Sequence, residues 1–421
     1  MHNDLRDIDR PSGWRMEELA HLLSESRVPA LRDDPSKRIT VRLHLGGVVQ
    51  RDERDSDKIG ATRYFVRRQG QLIYGKQNLH KGAIGVVPAE LDGFNSTQDV
   101  PAFDVDCVPE WLFYYFSRRH VYESLERLAE GTGSKRIHPA KLLKERIALP
   151  DREEQLKIVD VLRIIDRAIN TSEAYTDKCK RVNRGLVQNL MTLGIDEQWC
   201  IRNKETHKFR DSELGSIPEK WTVDRLTNTA NRISVGLATS VTKYYREAGV
   251  PIIRNQNIRR GYCDDSEMLY LDATFASRFP GKKLRKGDVL ICRTGANVGD
   301  SCAAPDRYVG AHTFTTLIVS PQPKRIVTDF MVRYLNSERG IKELNYILVG
   351  AGKNNLNVGQ LVKFRLVVPS VPEQNRISAI LRLSDTLIDE ARRLTDKLVL
   401  IKRGLLEDLL AGSVRVNDLA S

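Results

Sequence analysis

The residues best equipped for chemistry in this sequence lie in two glycine-rich loops. Gly131, Thr132, Gly133, Ser134, Lys135 and Arg136 combine backbone N–H groups, hydroxyls and two cations in a run without bulky apolar side chains. A second loop carries Gly352, Lys353, Asn354 and Asn355. Such segments can approach a sugar-phosphate backbone closely while Lys and Arg displace counterions. Asn suits an adenine edge as Arg suits a guanine. A helix C-cap turn explains the same glycines, and the two readings are compatible. Neither loop is a nucleotide-hydrolysing P-loop: Lys353 has no glycine at 347 and is followed by Asn354, not Ser or Thr. The Asn/Asp-Pro-Pro-Tyr/Phe signature of amino-methyltransferases is missing, as is the Gly-x-Ser-x-Gly elbow of hydrolases. Glu153 and Glu154 begin a helix, where the helix dipole suffices to explain them. No catalytic residue is assigned.

Further polar clusters fall at expected strand ends and turns. These are Lys76 with Asn78, Arg293 with Asn297, and the run Arg254, Asn255, Asn257, Arg259, Arg260. The last alternates amide and guanidinium groups, the side chains that read base edges bidentately, although a solvated loop would have the same composition. Cys107, Cys179, Cys200, Cys263, Cys292 and Cys302 form no Cys-x-x-Cys pair and have no histidine at metal-ligand spacing, so no metal site is expected. Reduced thiols in a cytoplasmic setting fit best. A net charge of +12 points weakly toward a polyanion. No apolar run approaches the length of about 18 residues that would span a bilayer, and Met1 to Gly13 is too polar for a signal peptide.

The element that must position these groups is written twice. Pro150–Leu190 aligns without a gap with Pro369–Leu409 at a shift of 219 (369 − 150), with 15 of the 41 positions identical. Apolar residues recur at three- and four-residue steps, as Ile158, Leu162, Ile169, Leu186 and Leu190 in one copy and Ile377, Leu381, Ile388, Leu405 and Leu409 in the other. Each copy predicts one long helix, a rod of about 55–60 Å at 1.5 Å per residue, which needs a partner along its apolar stripe. The obvious partner is the other copy, and Gln155 and Gln374 are grouped with the stripe as interface residues. Pro, Trp and Leu also recur at a shift of 207 (221 − 14) around Trp14 and Trp221. The aromatic run Trp111, Phe113, Tyr114, Tyr115, Phe116 is better read as core than as a base-stacking platform.

The expected organisation is a tail (1–13), a mixed α/β head (14–149), a long helix (150–195), a polar linker (196–215), a second head (216–368), a second long helix (369–416) and a tail (417–421). The fold class is α+β with an internal pseudo-two-fold repeat. Constant rods carrying divergent heads suit a binder of two unlike targets. The residues alone leave open a duplicated adaptor whose basic heads bind DNA without sequence choice.

Several stretches resemble the DNA specificity subunits of type I restriction-modification systems. Pro150-Asp151-Arg152-Glu153-Glu154-Gln155 and Pro372-Glu373-Gln374 resemble the family's helix opening, with the first copy lacking the proline directly before Glu-Gln. Arg184-Gly185-Leu186 and Arg403-Gly404-Leu405-Leu406 resemble its helix close. The resemblance implies two target-recognition domains, each reading half of a bipartite asymmetric site, held apart by two antiparallel coiled-coil helices. It implies a non-catalytic chain. The partners would be double-stranded DNA, two modification subunits that methylate adenine N6, and restriction-translocase subunits. S-adenosylmethionine, ATP and Mg are then expected only in those partners, with no cofactor in this chain.

Overall fold

The computed structural model describes residues 11–31, 34–53, 62–132, 134–348 and 355–416. The described residues within Met1–Ala174 and Arg392–Ser421 form one compact unit, and those within Tyr175–Ala391 form a second.

In the first unit, strand Arg15–Glu18 pairs antiparallel with Arg146–Leu149, the strand that leads into the first long helix. A four-stranded antiparallel sheet follows the order Leu23–Ser26, Ala102–Val105, Leu72–Tyr74, Ile84–Val86. The aromatic helix Pro109–Ser117 buries Trp111, Tyr114, Tyr115 and Phe116 in the same core as Trp14, Leu72, Tyr74 and Phe103. This aromatic run is core, as its apolar density suggests. Ile158, Leu162 and Ile165 of the first long helix and Leu406, Leu409 and Leu410 of the second complete that core. Each such side chain stabilises by about 1.5–3 kcal/mol on burial.

The second unit repeats the plan. Strand Thr222–Arg225 pairs with Arg365–Val368, and a four-stranded antiparallel sheet runs Ala230–Val235, Leu317–Pro321, Val289–Ile291, Ser301–Ala303. Its core joins Trp221, Phe330, Tyr334 and Phe364 to Leu190 and Met191 of the first long helix and Ile377 and Leu381 of the second. A further sheet, Tyr245–Arg246, Leu269–Leu271, Val250–Arg254 and His312–Phe314, includes a parallel pair and has a separate small core around Ile252, Leu271 and Phe275.

The long helices span Arg152–Thr192 and Val371–Leu410. Neither proline is the first residue: the Asp151 carboxylate accepts from Glu154 N (2.8 Å), and Ser370 Oγ accepts from Glu373 N (3.4 Å). Within the first unit Lys402 Nζ meets Asp166 Oδ1 at 2.6 Å and Ser172 Oγ meets Thr395 Oγ1 at 2.8 Å, so the helices run antiparallel. Within the second, Asn183 Nδ2 donates to Asp385 Oδ1 (3.1 Å). Asp166 and Asp385 are repeat equivalents (385 − 166 = 219), and each also binds its own head, through Tyr114 OH (2.7 Å) and Arg333 Nη2 (2.9 Å). Burial and the Asp166 carboxylate hold the Tyr114 phenol above its ordinary pKa.

Of the predicted stripe, Ile158, Leu162, Leu190, Ile377, Leu381, Ile388 and Leu409 are buried, and Ile169, Leu186 and Leu405 are half-buried. Gln155 and Gln374 correct the expectation. Gln155 Oε1 accepts from Val108 N (2.9 Å) and its Nε2 donates to Pro150 O (2.9 Å). Gln374 binds Val327 N (2.8 Å) and Pro369 O (2.9 Å) in the same way. These buried amides fasten each helix to its own head; they do not belong to a helix–helix seam.

A clasp is also built twice. Glu154, 1% exposed, is gripped by Arg415 through Nε (2.6 Å) and Nη2 (2.7 Å) and accepts from Trp14 Nε1 (3.0 Å). Glu373, 3% exposed, is gripped by Arg202 and accepts from Ile195 N (3.0 Å). The first-turn glutamate therefore does more than complement the helix dipole. Gly194 (φ +67°) and Gly412 (φ +66°) follow the two helices, and a Cβ on either would strike its neighbours: Arg202 of the clasp at 2.5 Å for Gly194, and Pro11, beside the clasp, at 2.5 Å for Gly412. Only glycine fits there.

Candidate nucleic-acid interface

In each unit the hairpin between the third and fourth sheet strands carries a cation just past its first strand. After Leu72–Tyr74 comes Lys76, and after Val289–Ile291 comes Arg293, related by a shift of 217 (293 − 76). The glycine-rich loop of each unit returns onto that cation's backbone. Ile137 N donates to Lys76 O (2.8 Å), and Leu356 N donates to Arg293 O (2.9 Å). Two segments that the sequence marks separately thus form one joint, made twice.

In the first unit Asp99 ties the joint together: its carbonyl accepts from Lys76 N (2.9 Å) and its Oδ1 from Arg136 Nε (3.3 Å). Arg136 and Glu130 exchange backbone hydrogen bonds and close the loop, with Gly131 at φ +126°. Thr132, Ser134 and Lys135 are exposed at its tip, and Gly133 lies outside the described residues. Asn78 opens the short helical turn Leu79–Lys81, and its carbonyl accepts from Lys81 N (2.9 Å) and Ala83 N (3.0 Å). Next to it His44 and Leu45 both take positive φ (56° and 60°) and donate to Lys81 O and Gly82 O. Consecutive left-handed residues of this kind are strained, a state that clusters at functional sites.

In the second unit Arg293 Nε donates to Asn355 Oδ1 (3.1 Å), and Arg293 N donates to Asn255 Oδ1 (2.9 Å). Asn255 Nδ2 donates to Thr294 Oγ1 (2.9 Å) and reaches Thr315 Oγ1 (3.5 Å). Thr315 is a β-branched residue at φ +53°. Asn297 stands in the same turn, its carbonyl accepting from Asp300 N (3.0 Å). Asn257 is a correction: it is 2% exposed, and its amide is spent on Arg254 N (2.9 Å) and Asp264 O (2.8 Å), so it shapes the loop from inside. Arg254 is held by Glu267 O (2.7 Å). Gly352, Lys353 and Asn354 lie outside the described residues. Asp99, Thr294 and Thr315 carried no signal in the sequence; the shift of 217 between the hairpins was the one available clue to the shared joint.

What these joints offer chemically is a set of fixed donors. They combine a cation anchored by its backbone with an amide or carboxylate that orients neighbouring groups, and in the first unit they add exposed hydroxyl and lysine groups on a loop tip. Among the described residues no group of three or more His, Cys, Asp or Glu could hold a metal ion, and no helix is long and apolar enough to cross a membrane.

The type I restriction modification DNA specificity domain model matches residues 218–398, which hold most of the second unit and much of the second long helix. The type I restriction enzyme MjaVIII specificity subunit of Methanocaldococcus jannaschii is 24% identical over 362 residues, spanning 83% of this chain and 77% of its own.

Over these matches the chain is similar to the specificity subunits of type I restriction-modification systems.

A second relative, the putative MjaX specificity subunit of the same organism, is 26% identical over 314 residues, 73% of this chain and 68% of its own. Among solved structures, the HsdS subunit from Thermoanaerobacter tengcongensis has a TM-score of 0.51 at 18% identity, covering 96% of this chain and 98% of that one. The S subunit from M. genitalium has a TM-score of 0.54 at 15% identity, covering 94% and 96%. A chain from a structure of complex assembly in a type I R-M system reaches 0.60 at 17% identity, covering 96% and 100%. At these identities the likeness is one of fold.

Proposed function

We infer that this chain is the sequence-specific DNA-recognition subunit of a type I restriction-modification complex, and that each unit reads one half of a bipartite asymmetric site. The observation that carries the reading is the joint of loop and hairpin cation, built once in each of two separate cores with different side chains. A repeated scaffold with unlike reading groups suits two unlike blocks of bases. The chain recognises, and partner subunits carry the chemistry: methylation of adenine N6, or cleavage. S-adenosylmethionine, ATP and Mg belong to those partners. The complex acts in the cytoplasm, where its DNA substrate lies.

The helices support docking of two modification subunits. Ile164, Tyr175 and Val182 are exposed on the first long helix, at steps of 11 (175 − 164) and 7 (182 − 175) residues that keep them on one face. Their equivalents at the shift of 219, Leu383, Leu394 and Ile401, are exposed on the second. Exposed apolar groups in register mark a protein interface, and their repetition suits two copies of one partner.

The test is co-expression with the modification subunit of the host and mapping of N6-methyladenine across its DNA. Methylation at one motif of two short blocks around a fixed unspecified gap is the expected result. A stable complex with no motif-dependent methylation would overturn the reading.

A further inference from the structure

We propose that Arg293 reads a guanine in the block recognised by the second unit, with Asn255 as its positioning residue. The proposal rests on the DNA-recognition reading above and adds a base and the groups that choose it.

Several arginines of the second unit are committed to carboxylates. Arg260 binds Asp300 (2.7 Å), Arg307 binds Asp265 (2.5 Å), and Arg259 lies 3.6 Å from Asp264. Asp300 is the acid of the same turn as Arg293, and Arg260 occupies it. Arg293 instead uses only Nε, toward the neutral amide of Asn355 at 3.1 Å. Its Nη1 and Nη2 have no partner among the described residues. A guanidinium fixed at Nε, with neither Nη group partnered among the described residues, keeps two parallel donors, the pattern that guanine N7 and O6 accept.

The surroundings favour a base over a phosphate. A phosphate contact needs charge and tolerates a mobile cation, whereas base readout needs a set orientation. That orientation is supplied from three places distant in sequence. Asn255 holds Arg293 N and Thr294 Oγ1, Thr315 supports Asn255 from a strained conformation, and Asn355 holds the side chain. The amide of Asn255 is fully used in these bonds, which makes it a positioning residue and not a contact. Access is open: Thr294, Gly295 and Ala296 are exposed, and a Cβ on Gly295 would meet nothing within 4 Å. The equivalent position in the first unit is Lys76, a flexible point charge without the rigid planar fork of a guanidinium, so the two joints differ at the group that matters.

The experiment selects bound sequences from a pool of randomised DNA duplexes with the full chain complexed to the modification subunit of its host. The wild type and the Arg293→Lys, Arg293→Gln, Asn255→Ala and Lys76→Gln variants are compared. The wild type is expected to return two blocks. Arg293→Lys keeps the charge, so it should lose preference at one guanine by about tenfold or more while keeping the other positions of that block. Retention of those neighbouring positions shows that the unit is folded. Asn255→Ala should weaken the same single position, an outcome that general loosening of the unit would not give. Lys76→Gln should leave that guanine untouched. Arg293→Lys with the full motif intact, or Arg293→Gln weakening all sequences equally, would assign Arg293 to a phosphate and overturn the proposal. A wild-type complex that selects no motif would overturn the recognition reading itself.

Discussion

Gln155 and Gln374 each cap a backbone N–H at the start of a head helix, Val108 N and Val327 N, from inside a core. Truncating either to alanine leaves buried polar groups without partners, at about 1–3 kcal/mol each. Gln155→Ala and Gln374→Ala should therefore lower stability in urea by similar amounts, and very different losses would mean that the two staples are not equivalent. His312 gives a second residue-scale expectation. It is fully buried, its Nε2 lies 3.1 Å from Ala276 O, its Nδ1 has no hydrogen-bond partner among the described residues, and burial holds its pKa below 6.5. The unfolded chain takes up a proton near the ordinary value that the folded chain resists, so acidification below 6.5 favours unfolding and the stabilisation is complete above it. His312→Asn should flatten the dependence of melting temperature on pH in that acid range. An unchanged slope would remove His312 from the account.

The long helices were legible in the sequence because an uninterrupted apolar period and its repetition leave little alternative. Their ends were legible only in outline. Glu154 reads as a dipole-stabilised first-turn acid until Arg415, 261 positions later, is seen to close on it (415 − 154). In the joints, Lys76 and Arg293 stood out as cations beside glycine turns, but Asp99 and Thr315 owe their roles to tertiary proximity, and Asn257 shows that an amide in a promising run can face the core. The clasp predicts that Arg202→Ala, which strands the 3%-exposed Glu373, costs the chain about 3–5 kcal/mol. Adding Glu373→Gln should recover part of that loss; no recovery in a double-mutant cycle would mean that packing dominates. Leu383→Glu, on the exposed helix face, should weaken co-purification of the modification subunit without lowering the melting temperature of this chain. Loss of the fold instead would place Leu383 in the core.

Each unit has its own hydrophobic core and its own copy of the joint. Exchanging residues 14–149 for the equivalent head of another specificity subunit should therefore replace one block of the recognised motif and leave the other unchanged, as read by methylation mapping. Simultaneous loss of both blocks would show that the cores are not independent readers. The division of the chain also imposes an order in time. The second unit is one continuous stretch, Tyr175–Ala391, whereas the first needs Arg392 onward to cover Ile158, Leu162 and Ile165 and to neutralise Glu154. Domains fold as they emerge during synthesis. The half that is translated first is thus the half that matures last, and its exposed helix face must be tolerated, or chaperoned, until the ribosome has delivered Leu406, Leu409 and Arg415.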